Sequence, residues 1–342
     1  MAGEQRDRAA RRDGNDGPPV VVVTGASAGV GRAIARRFGN RRARVGLIAR
    51  GIDGLAEARR EIEAAGGEAL VLPLDVADAG AVEAAADRIV ARWGRIDVWI
   101  NNAMVSVFAP IAETTADEYR RVTEVTYLGV VHGTRAALRY MRARDAGTIV
   151  QIGSALAYRS IPLQSAYCAA KAAVRGFTDS LRCELIHDKS RIQVTMLQLP
   201  AVNTPQFEVI RNKLGKHGQP VPPIYQPEVI AEAVEYAIAH PSRELWIGGS
   251  TIKALVAQRL IPGWLDRHLA TKAYETQVTD ELPPTTVDNV DEPIPGDRGA
   301  HGSFDATSRD SSVLLWLRMH RPQVAAVVLG AGAALLGRRL LR

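Results

Sequence analysis

The sequence has only two cysteines, Cys168 and Cys183, which lie fifteen residues apart. They form no C-x-x-C motif, and no cluster of histidines stands near them. This scarcity argues against a disulfide scaffold and against a metal site, and it suits a reducing, cytoplasmic compartment. Cys168 is expected to be a small, packed side chain.

A leader segment and a nucleic-acid-binding pattern are also missing. Residues 1–17 are charged and glycine-rich without the apolar stretch of a signal peptide, so we expect a disordered tail. The net charge of +6 is unevenly spread, with −6 over residues 271–312 and +5 over residues 313–342. No basic stripe interleaved with aromatic residues accompanies this charge, which disfavours nucleic acid as a partner.

Strand and helix patterns alternate from residue 20 onward. With 342 residues and 46% hydrophobic composition, the chain can bury one large core. The alternation predicts an α/β fold of the Rossmann type, a doubly wound parallel sheet in three α/β/α layers, as a single domain over residues 18–270. The predicted strands are Val20–Thr24, Arg44–Ala49, Glu68–Leu72, Ile96–Ile100, Thr148–Ile152, Gln193–Leu199 and Glu244–Ile247. The predicted helices include Gly51–Ala65, Asp78–Trp93, Thr115–Arg142, Gln164–His187 and Pro227–Ala239.

The first predicted strand runs into a glycine-rich turn. Its β-branched residues are typical of a buried parallel strand, and helical spacing begins at Arg32. Glycines in such a turn let the backbone approach a diphosphate at a helix N-terminus. A tight turn of any α/β protein could also carry glycines, but here strand, turn and helix follow in the order that nucleotide binding requires. The predicted nucleotide-binding residues of this turn are Thr24, Gly25, Ser27, Gly29, Val30 and Gly31.

Tyr167 and Lys171 are four residues apart, and Tyr167 comes thirteen residues after Ser154. On a helix the two side chains share a face. An ammonium beside a phenol favours the phenolate, so we expect Lys171 to lower the pKa of Tyr167 and to make the phenol a proton donor near neutral pH. A Tyr-x-x-x-Lys pair alone is weak evidence for a catalytic site, because a surface tyrosine packed over an extended lysine has the same spacing.

Together these motifs resemble the short-chain dehydrogenase/reductase superfamily, in its single-domain branch. The resemblance rests on TGxxxGxG from Thr24 to Gly31, on Asn101-Asn102-Ala103, and on Ser154 with Tyr167 and Lys171, and it covers about residues 18–270. It implies hydride transfer between a nicotinamide cofactor and a carbonyl or secondary alcohol. By resemblance Tyr167 donates the proton, Ser154 hydrogen-bonds the substrate oxygen and Lys171 binds the nicotinamide ribose. The implied cofactor contacts are Asp75 and Val76 at the adenine, Asn102 along the cofactor and Thr204 at the nicotinamide end.

The choice between NADP and NAD depends on the end of the second strand. An acid there binds the ribose 2′-hydroxyl of NAD, whereas an arginine accommodates the 2′-phosphate of NADP. Here the strand ends at Arg50, and the first acid after it is Asp53. A guanidinium matches phosphate in a bidentate manner, so Arg50 predicts NADP(H), with NAD as the alternative.

Two positions depart from the family pattern. Thr126 stands where the family usually has an asparagine that completes a proton relay, and Met104 stands where glycine is usual. Thr126 could bond to a carbonyl one helical turn back. The intact Ser154, Tyr167 and Lys171 predict that activity survives, while a cofactor-binding protein without turnover is the alternative.

The chain after the last strand changes in composition. Residues 200–226 are proline-rich and are expected to form a lid over the substrate. Residues 271–312 are rich in Pro, Asp, Thr, Gly and Ser, which predicts a disordered linker. Residues 313–342 contain a fourteen-residue uncharged run, Val324–Gly337, between arginines. Three interpretations compete for it, namely a short membrane span, an interfacial anchor and a docked helix. The predicted linker favours membrane attachment, with a transmembrane span ahead of an anchor that lies flat.

The sequence therefore predicts an NADP(H)-dependent carbonyl reductase or alcohol dehydrogenase with a small-molecule, lipophilic substrate. By resemblance two of its helices would build a homo-oligomer. A scaffold that recruits partners at a membrane is the alternative from another class.

Overall fold

An entirely parallel sheet of seven strands is the centre of this computed structural model, which describes residues 17–283 and 287–324. The strands are β1 (Val20–Thr24), β2 (Arg44–Ala49), β3 (Glu68–Pro73), β4 (Val98–Asn101), β5 (Thr148–Ile152), β6 (Gln193–Gln198) and β7 (Glu244–Trp246). They lie in the order β7-β6-β5-β4-β1-β2-β3, so the direction of winding reverses between β1 and β4. In open sheets of this kind ligands bind outside the carboxyl ends of the strands at that reversal. The predicted fold class is confirmed.

Helices cover both faces of the sheet. Val21 and Val23 of β1 pack into one hydrophobic core, while their neighbours Val20 and Val22 pack into a second core on the opposite face. The helices are α1 (Gly29–Asn40), α2 (Ile52–Ala64), α3 (Ala79–Trp93), α4 (Ala116–Thr123), α5 (Gly129–Arg144), α6 (Ser165–His187), α7 (Pro227–Ala239), α8 (Gly249–Leu260), α9 (Pro262–Thr276) and α10 (Val313–Met319). Shorter turns occupy Ile111–Glu113, Ala155–Ala157, Gln206–Val209 and Asp305–Thr307.

The helix predicted over Thr115–Arg142 is two helices joined by a π-helical turn. Thr115 caps α4 in a capping box, in which its hydroxyl accepts from the amide of Glu118 (3.2 Å) and its own amide donates to the Glu118 carboxylate (2.8 Å). The π turn spans Glu124–Leu128 and connects α4 to α5. Such turns are frequent at functional sites, and this one contains Thr126.

Short strands hold residues 200–226, the predicted lid, against the domain. Ala201–Val202 and Ile224–Tyr225, at the two ends of residues 200–226, pair in parallel with each other. Between them Arg211–Asn212 pairs in parallel with Val107–Phe108, which follows β4. The lid is thereby attached at both ends and in the middle.

The prediction of a disordered linker over residues 271–312 is wrong for its described part. Helix α9 continues to Thr276, and residues 287–312, here called the C-terminal strap, pack along the domain. Val290 is fully buried, and Arg211 pairs with Asp288 (2.9 Å) and Asp291 (2.6 Å). The physical reason is charge complementarity, because the acidic strap meets basic side chains of an otherwise basic domain. Ser308–Arg309 adds a strand beside Ile224–Tyr225.

The start of residues 313–342 also docks on the domain, whereas the sequence favoured membrane attachment of this segment over docking. The Ser312 hydroxyl caps α10 by accepting from the amide of Leu315 (3.2 Å), and it donates to the carbonyl of Ile247. Leu315 is buried in the core on the α1 side of the sheet. Among the residues that the structure describes, no helix has the length and apolar character needed to cross a membrane. The run Val324–Gly337 lies, after its first residue, outside the described residues, as does the N-terminal tail up to residue 16.

Candidate active site

The glycine turn after β1 leaves two backbone donors at the start of α1. Gly25 has φ +68°, and a Cβ on Gly31 would lie 2.1 Å from the carbonyl oxygen of Gly25. Helix α1 has no side-chain cap, and the amides of Val30 and Gly31 have no acceptor within the described residues. Two free amides at a helix N-terminus favour a bound anion.

Thr24 and Asn102 join the ends of the two central strands. The Asn102 amide donates to the Thr24 hydroxyl (2.9 Å), and the Asn102 side chain donates to the Thr24 carbonyl (2.9 Å). One residue earlier, Asn101 donates to Thr134 (3.0 Å) and to Gln151 (2.9 Å) in a fully buried network. Asn102 lines the cavity described below, whereas Thr24 acts behind it by fixing the turn.

The predicted catalytic side chains meet at the carboxyl end of β5. Ser154 lies two residues after the end of β5 and caps the turn Ala155–Ala157. Tyr167 and Lys171 lie one turn apart near the start of α6. All three line the same cavity. Burial raises the pKa of Tyr167 to about 12, and the hydrogen bond with the Ser154 side chain acts in the opposite direction.

The predicted lowering of the Tyr167 pKa by Lys171 is wrong for this structure. The ammonium of Lys171 lies 5.7 Å from the centroid of the Tyr167 ring and donates instead to the carbonyl of Ile152 (2.7 Å). The lysine is buried, and burial lowers its own pKa to about 8. Burial thus makes the ammonium easier to deprotonate, and because Lys171 does not pair with the Tyr167 hydroxyl, the burial of the phenol determines the direction of its pKa shift.

Thr126, at the position where the family usually has asparagine, makes two hydrogen bonds through its hydroxyl. Its hydroxyl donates to the carbonyl of Val105 (2.9 Å) and accepts from the amide of the same residue (3.1 Å). The partner is thus the loop after β4 and not a carbonyl one turn back in the helix. Met104, in that loop, lines the cavity and does not have a positive φ, so the backbone there does not require glycine.

Asp75 and Val76 lie at the other end of the crevice, after β3. The Asp75 carboxylate accepts from the amide of Ala77 (2.9 Å) and pairs with Arg121. Val76 is buried and leaves no room beside it, since a Cβ on Gly129 would lie 2.7 Å from its side chain. Both residues line the cavity.

Arg50 lines the cavity but is already engaged by the C-terminal strap. Its guanidinium donates to the carbonyls of Asp291 (2.6 Å), Val290 (3.2 Å) and Asn289. Arg121 donates to the same Val290 carbonyl (2.9 Å). Burial lowers the pKa of Arg50. The sequence-based picture of an arginine free for a 2′-phosphate omitted these carbonyl acceptors.

One cavity of about 520 Å³ connects these groups. It runs from Asp75 and Val76, past the glycine turn, to Ser154, Tyr167 and Lys171, with Ser27, Gly29, Val30 and Thr204 also in its wall. Thr204 comes close to the turn, since a Cβ on Gly29 would lie 3.3 Å from it. The elongated shape, the free amides and a glycine cradle that any Cβ would obstruct fit a dinucleotide.

Sequence reasoning missed two walls of this cavity. The strap contributes Asn289, Pro293, Ile294, Gly296 and Arg298, and helices α8 and α9 contribute mostly apolar side chains. The signal for the strap was the excess of acids over residues 271–312 facing a basic domain. Composition alone suggested disorder because it does not show which carbonyls and carboxylates meet arginines.

Comparison with known proteins identifies the family to which the chain belongs. A model of the short chain dehydrogenase family matches residues 19–215, more than half of the chain. The chain belongs to the short-chain dehydrogenase family. This membership confirms the predicted superfamily and the prediction of an oxidoreductase enzyme. An uncharacterized oxidoreductase of Bacillus subtilis, YxnA, is 33% identical over 262 residues, which cover 75% of this chain and 73% of that protein.

Two further relatives differ in their named activity. A fatty acyl-CoA reductase of Acinetobacter baylyi is 33% identical over 221 residues, 64% of this short-chain dehydrogenase and 72% of that protein. Among solved structures, an alcohol dehydrogenase from the archaeon Thermococcus sibiricus, complexed with 5-hydroxy-NADP, has a TM-score of 0.59 and 28% identity. The match covers 67% of this chain and 96% of that structure.

Proposed function

We propose that the protein is an NADP(H)-dependent oxidoreductase that interconverts a carbonyl group and an alcohol on a lipophilic small molecule. The observation that carries the proposal is the shared cavity, which is lined both by the glycine turn, up to Val30, and by Ser154, Tyr167 and Lys171. A cofactor that lies along the cavity would bring its reactive end to a proton donor.

The charge at the adenosine end supports NADP(H) over NAD(H). Arg50 and Arg121 both lie there, and the nearest acid after the second strand, Asp53, already accepts from the amide of Gly296 (2.8 Å). A carboxylate engaged in this way is less able to bind ribose hydroxyls, while Arg50, whose strap partners are neutral carbonyls, keeps a positive charge that favours an added phosphate. The Thermococcus relative was crystallised with an NADP analogue.

The roles of the side chains follow from where they lie. When bound, the nicotinamide supplies or accepts the hydride. Tyr167 is protonated at physiological pH, and burial raises its pKa further, so it holds the proton that the substrate oxygen requires. Ser154 orients that oxygen, since its hydroxyl already interacts with the phenol. Lys171 holds a donor toward the ribose and is itself fixed by the Ile152 carbonyl.

The substrate end of the cavity is apolar. Beyond Ser154 and Tyr167 its walls are formed by side chains from the turn after β5, the lid and α9, namely Leu156, Ile161, Phe207, Ile210, Leu265 and Leu269. Apolar walls with a few polar groups bind a substrate through its hydrocarbon part and orient it through one oxygen. The fatty acyl-CoA reductase among the relatives acts, by its name, on a lipid derivative.

Two further parts of the proposal concern oligomerisation and attachment to a membrane. Members of this family form oligomers, so we propose a homo-oligomer. We also propose that the tail attaches to a membrane surface, because Val313 and Trp316 of α10 are 74% and 53% exposed just before the apolar run. Exposed aromatic and apolar side chains beside arginines are typical of an interfacial anchor.

The test is a turnover assay with NADPH and NADH against aldehydes and ketones of increasing hydrocarbon length. We expect oxidation of NADPH, with kcat/KM rising as the chain lengthens and NADH the poorer cofactor. Tight binding of NADPH without turnover over the whole panel would identify a cofactor-binding protein that is not an enzyme. No binding of either nucleotide would overturn the proposal.

A further inference from the structure

The C-terminal strap crosses the crevice from the adenosine end to the glycine turn. At the adenosine end its carbonyls accept from Arg50 and Arg121. Midway, the Gly296 amide donates to Asp53, and at the turn the Gly29 amide donates to the carbonyl of Gly299 (2.9 Å). The strap therefore follows the same path as the dinucleotide cavity and forms its outer wall.

The strap is held tightly on both sides of Arg298. The preceding residue, Asp297, accepts from the buried guanidinium of Arg32 (3.1 Å) and from the amide of Gly299 (3.3 Å). Gly296 and Gly299 have φ values of +80° and +62°, which let the strap turn sharply around this position. Ala300 is buried. The backbone of Arg298 is consequently fixed beside the phosphate-binding turn, while its side chain remains exposed.

Arg298 differs from the other cations in the cavity wall. Arg50 donates to strap carbonyls, Arg159 donates to Gln258 (2.6 Å) and Asp266 (2.7 Å), and Lys171 donates to Ile152 (2.7 Å). The guanidinium of Arg298 has neither a hydrogen bond nor an ion pair within residues 17–283 and 287–324. Arg32, the nearest arginine on α1, is buried and paired with Glu61 (2.6 Å). Arg298 is thus the cation that is available to a ligand at the turn.

We propose that the strap completes the dinucleotide site and that Arg298 binds the diphosphate of the cofactor. The proposal rests on the proposed function, because it assumes that a nicotinamide dinucleotide occupies the cavity. The amides of Val30 and Gly31 supply two neutral donors to the diphosphate, and Arg298 supplies the positive charge that they lack. The site is then built from both ends of the chain, and cofactor affinity depends on a segment that follows the family's conserved motifs in sequence.

The experiment is a fluorescence titration of the full-length protein with NADPH, comparing wild type with Arg298→Gln, Arg298→Lys and Arg309→Gln. Arg309 is the matched control, an exposed arginine of the same strap that does not line the cavity. A charge-assisted hydrogen bond to phosphate predicts that Arg298→Gln weakens NADPH binding by about tenfold to a hundredfold, with partial recovery in Arg298→Lys. Arg309→Gln should bind as wild type, and the thermal midpoint of each ligand-free variant should be unchanged.

Displacement of NADPH by adenosine 2′-monophosphate separates the two phosphate groups of the cofactor. This fragment carries the 2′-phosphate but no diphosphate, so Arg298→Gln should leave its affinity unchanged. An equal loss for the fragment and for NADPH would show that Arg298 binds the 2′-phosphate, and unchanged NADPH binding in Arg298→Gln would overturn the proposal altogether. If wild type failed to bind NADPH, the proposed function would fall first and this inference with it.

Discussion

The amide of Gly29 donates a 2.9 Å hydrogen bond to the carbonyl of Gly299. This bond joins the phosphate-binding turn, near the start of the chain, to the C-terminal strap. It uses one donor of the α1 N-terminus and leaves the next two, Val30 and Gly31, for an anion. The strap therefore shapes the cofactor cavity without filling it.

The close approach at Gly31 predicts the effect of a single methyl group. In Gly31→Ala the new Cβ would lie 2.1 Å from the Gly25 carbonyl oxygen, so the turn must open. We expect at least a hundredfold loss of NADPH affinity, measured by fluorescence titration. Gly176→Ala is the control, since a Cβ there meets nothing within 4 Å and lies inside α6. That variant should bind normally and be more stable by about 1 kcal/mol. Equal NADPH affinity in the two variants would contradict the role of the turn.

The proton donor is tested by Tyr167→Phe. Loss of a general acid should lower kcat by about 10²–10⁴-fold while the affinity for NADPH stays within a few-fold of wild type. Tyr158→Phe is the matched control, because its hydroxyl bonds to Glu244 and does not line the cavity. Steady-state kinetics with NADPH and a carbonyl substrate measure both variants. Near-normal turnover in Tyr167→Phe would mean that another group donates the proton.

Burial of Lys171 predicts a pH-dependent stability. Its pKa falls from an ordinary 10.5 to about 8 in the folded protein, so between these values the unfolded chain binds more protons. The free energy of unfolding of the ligand-free protein should therefore rise with pH from about 8 to 10, by up to roughly 3 kcal/mol. Above pH 10 the raised pKa of Tyr167 has the opposite effect.

Urea unfolding of wild type and Lys171→Met across this range isolates the contribution of the lysine. Methionine does not titrate, so the difference in the free energy of unfolding between the two proteins should change with pH as stated. A difference that stays constant from pH 7 to pH 10 would show that the ammonium is not destabilised by burial.

The two hydrogen bonds between the Thr126 hydroxyl and the Val105 backbone predict that the hydroxyl contributes more to stability than the shape of the side chain. Thr126→Val leaves the buried amide and carbonyl of Val105 without this partner and should cost about 1–3 kcal/mol of the free energy of unfolding. Thr126→Ser keeps the hydroxyl and should lose much less. The two variants are compared by urea unfolding and by kcat. If valine were as stable as threonine, the loop after β4 would be held by other contacts.

The proposed membrane attachment is tested by deleting residues 325–342. We expect the shortened protein to keep its NADPH affinity and its thermal midpoint, because Ser312 and Leu315 still dock α10. Its binding to phosphatidylglycerol-containing vesicles, measured by sedimentation, should fall at least tenfold. Full retention of vesicle binding after the deletion would assign the attachment to another part of the chain.

The local features of this protein were predictable from the order of its residues. Periodicity placed β1, β2 and β5 at their observed bounds, because buried parallel strands are short β-branched runs that need no knowledge of their neighbours. The glycine turn and the spacing of Tyr167 and Lys171 were likewise visible, since each depends on backbone conformation within a few residues.

What only the tertiary structure decided are relations between residues far apart in the chain. The sequence determined that Lys171 lies on the face of Tyr167, but burial decided the direction in which the pKa of each group shifts, and the Ile152 carbonyl holds the ammonium. It determined that residues 287–312 are acidic and poor in regular structure, but contacts with Arg50, Arg121 and Arg211 decided that they are ordered and line the cavity. Composition describes what a segment can form alone, whereas its order here comes from partners that only the fold brings within reach.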